Sequence, residues 1–164
     1  MQARVPFYLL AAFMVLPHLR TLADDVPADV MNQIRAQAKA NRPGNSNTEQ
    51  RLMQQEVDAY TAIQSFATNE VPPEVIVKIK AKAAENFPGN YNGQMNLVQR
   101  ETKAYVELAH FPANGIPQET LDGIRKQAAS SFPDSYVDQL KAVGQQADAY
   151  RQHSPATEEP PAEN

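Results

Sequence analysis

An all-α chain of three tandem helical hairpins, six helices in all, is what the residues lead us to expect, and three features carry that expectation. The first is an ungapped register: residues 26–63, 71–108 and 116–150 superimpose at an offset of 45. Six columns are then identical: Pro27/Pro72/Pro117, Ile34/Ile79/Ile124, Ala38/Ala83/Ala128, Pro43/Pro88/Pro133, Ala59/Ala104/Ala149 and Tyr60/Tyr105/Tyr150. A fixed period of this length marks a repeat array. The second is helical spacing within each copy. The third is Pro, Gly and Asn punctuation between two periodic runs per copy.

The N-terminal stretch comes first. Residues 1–23 carry Arg4, an apolar run from Val5 to Pro17, and Thr21-Leu22-Ala23 ahead of Asp24. That order is the pattern of a cleaved secretory signal peptide. The run is too short for a permanent membrane span, and no cysteine follows it to take a lipid anchor. Export is expected, to a bacterial periplasm or the extracellular space, with cleavage after Ala23.

The three-repeat domain then occupies 24–153. In its central copy, Val75, Ile76, Ile79, Ala83 and Phe87 fall on one face of a 3.6-residue period. Pro72 supplies a first-turn proline, and Glu74 suits the positive end of the helix dipole. The helix must end near Asn86, because Pro88 disfavours helical geometry in the residue before it. Gly89 and Asn90 turn the chain. Asn90 is then a natural N-cap, and Ser135 with Asp138 forms a capping box in the third copy. The second helix runs to about Leu108, with Leu97, Val98, Ala104, Tyr105 and Leu108 on one side. One such hairpin exposes too much apolar surface to stand alone, so the copies are expected to share a continuous core, as a short α-solenoid or a compact bundle. Residues 154–164, rich in Pro and Glu and without large apolar side chains, are expected to be a disordered acidic tail.

Composition narrows the function. Without residues 1–23 the chain has 13 basic against 19 acidic side chains, a net charge of −6. An acidic chain with no basic block lacks the phosphate-neutralising surface that nucleic-acid binding needs, and the same holds for anionic membranes. There is no cysteine, which excludes disulfides, a thiolate nucleophile and Cys-based zinc sites. Only His110 and His153 remain, and neither sits in a pattern that would hold an imidazole as a catalytic base. No Gly-rich phosphate loop or H-E-x-x-H pattern occurs. No catalytic residue, metal ligand or cofactor is assigned.

Four columns remain as candidate binding features. Glu56/Glu101/Gln146 lies inside the apolar stripe of the second helices, because Glu101 falls near −40° when Tyr105 is at 0° on a helical wheel. A carboxylate there must be paired or hydrogen-bonded, or must face a groove. It either accepts hydrogen bonds from a turn backbone or a tyrosine, or lines a groove for a peptide or cation. Tyr60, Tyr105 and Tyr150 either pack at the hairpin interface with their hydroxyls at the rim or line that groove. A third reading makes Glu56 and Glu101 the acid and base of a cell-wall sugar hydrolase. Tyr91 and Tyr136, whose column is broken by Ser46, are expected on an exposed contact surface. So is Lys80 of the basic column Arg35/Lys80/Arg125.

This organisation resembles the helical-hairpin arrays that include tetratricopeptide and HEAT repeats. The likeness is architectural: the period exceeds the tetratricopeptide length and the W-x₂-L-G-x₂-Y signature is absent. No functional residue follows from it. The expected function is a non-catalytic module that binds or scaffolds an envelope protein or peptide. The alternatives are the hydrolase and a self-associating structural spacer.

Overall fold

The computed structural model describes residues 26–41 and 44–153. The expected signal peptide and acidic tail both lie outside the described residues. Within them the chain is all-helical, with no strand. The helices are α1 (Ala28–Asn41), α2 (Ser46–Ser65), α3 (Pro73–Asn86), α4 (Tyr91–Ala109), α5 (Gln118–Ser131) and α6 (Tyr136–His153). Among the described residues no helix is long and apolar enough to cross a membrane.

Prolines set the ends of the odd-numbered helices. Pro72 and Pro117 are the N-cap residues of α3 and α5, at φ −55° and ψ 139° and φ −55° and ψ 141°. The first-turn proline expected at Pro72 is therefore Pro73, where a missing N–H costs no helical bond. At the other end, Phe87 and Phe132 leave helical geometry at φ −131° and −133°. Each precedes a proline whose ring would clash with a helical neighbour. Gly89 then takes φ +74°, a left-handed value that glycine reaches without steric cost. Asn45 caps α2 by accepting from the Thr48 N–H at 3.0 Å, and Asn90 caps α4 by accepting from the Gly93 N–H at 2.8 Å. In α6 the Ser135 hydroxyl accepts from the Asp138 N–H at 3.2 Å.

Packing follows a simple scheme. α1 lies on α2, α3 on α4 and α5 on α6, while α2 packs on α4 and α4 on α6. Among the described residues the long helices α2, α4 and α6 thus form a row, and each shorter helix lies mainly against the long helix that follows it.

The interior is not the continuous core expected from sequence. Three apolar clusters form instead, centred on Ile34 and Val57, on Ile79, Ala83 and Val98, and on Leu121, Ile124, Ala128, Val143 and Ala147. Side chains from a neighbouring pair close each one. Tyr91 of α4 packs on the first cluster, Tyr136 of α6 on the second, and Leu108 of α4 on the third. Val57, Val98 and Val143 of the long helices cluster with the paired short helix, while the α2–α4 and α4–α6 boundaries carry a carboxylate, an alanine and tyrosines.

Candidate functional site

The contact between successive long helices is built around one carboxylate. Glu56 of α2 accepts hydrogen bonds from the Tyr91 N–H at 2.6 Å and the Asn92 N–H at 3.2 Å through Oε2. Its Oε1 accepts from Asn92 Nδ2 at 2.6 Å. Forty-five residues on, Glu101 of α4 repeats this arrangement with α6. Its Oε2 accepts from the Tyr136 N–H at 2.7 Å and the Val137 N–H at 3.3 Å, and its Oε1 from the Ser135 hydroxyl at 3.3 Å.

The chemistry explains the geometry. The first N–H groups of a helix have no partner inside it, and they carry the positive end of its dipole. A carboxylate from the preceding long helix satisfies two of them at once, and charge-assisted bonds of this kind are the stronger ones. These bonds give Glu101, only 4% exposed, the partners that a buried polar group inside an apolar stripe requires. Each carboxylate works as a latch between helix pairs.

Lys82 of α3 completes the second latch. Its Nζ stands 2.8 Å from Glu101 Oε1 and also donates to the Asp134 carbonyl. The equivalent residue of α1 is Gln37, whose Nε2 donates to the Pro88 carbonyl at 3.4 Å. In both cases the short helix reaches the turn of the next pair. Gly89 lies beneath α1 so closely that a Cβ there would overlap the Gln33 side-chain amide. A signal for Lys82 existed in the sequence, since Gln37, Lys82 and Gln127 are all side-chain donors in one column.

The tyrosines form the other half of the contact. Tyr60 meets Tyr91 edge to face, centroids 5.1 Å apart at 83°, and Tyr105 meets Tyr136 at 5.1 Å and 89°. Such T-shaped pairs match the positive ring edge to the negative face. Tyr91 and Tyr136, expected on an exposed surface, are half-buried wedges instead, because the preceding pair covers them. Burial raises the pKa of both hydroxyls. Tyr60, Asp29 and Glu56 add to the rise at Tyr91, and Tyr105 and Glu101 to that at Tyr136.

The expected row of Glu56, Glu101 and Gln146 does not line one groove. The two carboxylates sit in separate interfaces with their acceptors engaged. Gln146 is half-buried on α6, and the described residues contain no later helix for it to cap. Tyr150 packs on the third cluster. Lys80 is half-buried at the α2–α3 junction, its Nζ 3.5 Å from the Gln64 carbonyl.

Beside the second latch lies an open cleft of about 520 Å³, lined by Lys78, Ile79, Lys82, Glu85, Pro133 and Tyr136 among others. It offers charges of both signs against a tyrosine and apolar floor. A shallower cleft of about 410 Å³ lies between Phe66 and Val106. Among the described residues no group of three His, Asp or Glu side chains is placed to hold a metal ion.

No family model matches the chain, and neither a curated protein nor a solved structure matches it.

Proposed function

We propose that the chain is an exported, non-catalytic module of three stacked helical hairpins that binds a protein or peptide of the cell envelope. The observation that carries this reading is the double latch. Glu56 and Glu101 spend their acceptors on holding helix pairs in a row, and that row leaves a mixed-charge cleft open beside Lys82. A stacked array, rather than a closed bundle, is favoured by helix contacts that run mainly within pairs and between consecutive long helices. Peptide recognition suits a cleft with a tyrosine wall, backbone turns and both signs of charge, since such groups fix orientation while the apolar floor supplies area.

The test is to capture partners on the purified chain from envelope extract, identify them, and titrate the tightest with Lys78→Glu and Glu85→Lys variants. Binding at the cleft should weaken about ten-fold or more with either reversal, equivalent to about 1.4 kcal/mol. Affinity unchanged in both would rule out the cleft. Turnover of an envelope polymer that vanishes in Glu56→Gln and Glu101→Gln while both variants stay folded would replace this reading with the hydrolase.

A further inference from the structure

We infer that the outer ends of the helix row are matching halves of the interface that occurs twice inside it, and that Ser46, Gln146 and His153 keep a second copy of this chain from docking there. The internal interface has two sides. One is the start of a long helix, with two backbone N–H groups and a tyrosine wedge at Tyr91 or Tyr136. The other is the preceding long helix, with a carboxylate at Glu56 or Glu101, a small residue at Ala59 or Ala104, and a tyrosine at Tyr60 or Tyr105.

Both sides recur at the ends, where no further helix among the described residues lies over them. Ala59 and Ala104 are 7% and 4% exposed, whereas Ala149, the same column on α6, is exposed. The third copy differs in this column because no further helix among the described residues lies over it. At the opposite end, Ser46 and Asn47 begin α2 with exposed side chains, the positions that Tyr91 and Asn92 occupy in α4.

The residues that differ at these ends all act in one direction. Ser46 removes the aromatic wedge. Gln146 removes the charge that a helix N-terminus attracts. His153 stands where Ile63 is buried and Leu108 packs on the next cluster, and its ring instead bonds the Ala149 carbonyl at 2.8 Å. Repeat arrays need a polar outer face on terminal units. A head-to-tail contact between copies would not close on itself, so an unblocked pair of ends would propagate into filaments. The inference does not depend on the proposed binding function.

Two variants test it: Ser46→Tyr, which restores the donor side, and Gln146→Glu with His153→Leu, which restores the acceptor side. Ser46 and His153 are exposed and Gln146 only half-buried, so circular dichroism should match the parent. By sedimentation equilibrium the parent and each variant alone should remain monomeric. An equimolar mixture should form a one-to-one dimer with an association constant at least about ten-fold above any self-association of the parent. The chain carrying all three changes should form longer chains, and adding Ala149→Arg should abolish them. The inference is overturned if the mixture associates no more than the parent, or if association survives Ala149→Arg.

Discussion

Glu101 and Glu56 occupy the same column but not the same surroundings, and the difference sets what each is worth. Glu101 is buried and meets two backbone N–H groups, a hydroxyl and the Lys82 ammonium. Glu56 is half-buried and meets two backbone N–H groups and one amide, with Gln37 in the place of Lys82. Removing one partner of a buried pair leaves the other uncompensated, so Glu101→Ala should cost about 3–5 kcal/mol. Glu56→Ala should cost about 1.5–3 kcal/mol, the worth of hydrogen bonds to a charged group. Urea titration of both variants checks the order, and equal losses would mean that Lys82 contributes nothing. The tyrosines give a pH signature. Tyr91 and Tyr136 hold their protons more tightly when folded, so their contribution is intact below the ordinary tyrosine pKa of about 10 and is lost as pH rises through the higher folded value. A Tyr91→Phe/Tyr136→Phe chain should therefore lose less stability than the parent between about pH 9 and about pH 11. A parallel decline in both would place the alkaline sensitivity elsewhere.

The helices themselves show which glycines serve the fold. Gly123 in α5 and Gly144 in α6 have nothing within 4 Å of an added Cβ. Alanine at either should stabilise by about 0.5–1 kcal/mol, because glycine loses more backbone freedom in a helix. Gly89→Ala should do the opposite, since its φ of +74° and the nearby Gln33 amide both oppose a Cβ. Thermal melts of the three variants should shift up, up and down, and a rise for Gly89→Ala would mean that the turn relaxes freely. The same helices were legible in sequence to within a residue or two, because apolar spacing and proline punctuation are local. Pro72 was misplaced by one position, since a cap and a first-turn proline have the same φ and differ only in ψ. The latch was only half legible. The wheel position of Glu101 shows that a carboxylate there needs partners, but its backbone donor at Tyr136 lies 35 residues away in the next pair. Periodicity within a helix says nothing about such a distance. The exposed surface expected for Tyr91 and Tyr136 fails for the same reason: Ser46 breaks the pattern in sequence because, among the described residues, no helix pair precedes α2 for it to wedge against.

Separate clusters joined by latches make a specific kind of cooperativity. Each helix pair buries its own apolar residues, so coupling between pairs rests on the Glu56 and Glu101 contacts, the two tyrosine pairs and the few side chains that cross, such as Leu108. Where stability is a sum of unit terms and nearest-neighbour terms, the transition is all-or-none only while the neighbour terms dominate. Cutting both latches in Glu56→Ala/Glu101→Ala should lower stability and also the urea m-value, because the three pairs would begin to unfold independently and each exposes less surface than the whole. Glu56→Ala alone should uncouple only the α1–α2 pair, whose latch to α4 is the one removed, and should give a first transition confined to that end. Hydrogen exchange read helix by helix separates the cases. Protection lost from α1 and α2 ahead of α5 and α6 supports latch-borne coupling, whereas uniform loss with an unchanged m-value would show that the crossing apolar side chains hold the row together without the carboxylates.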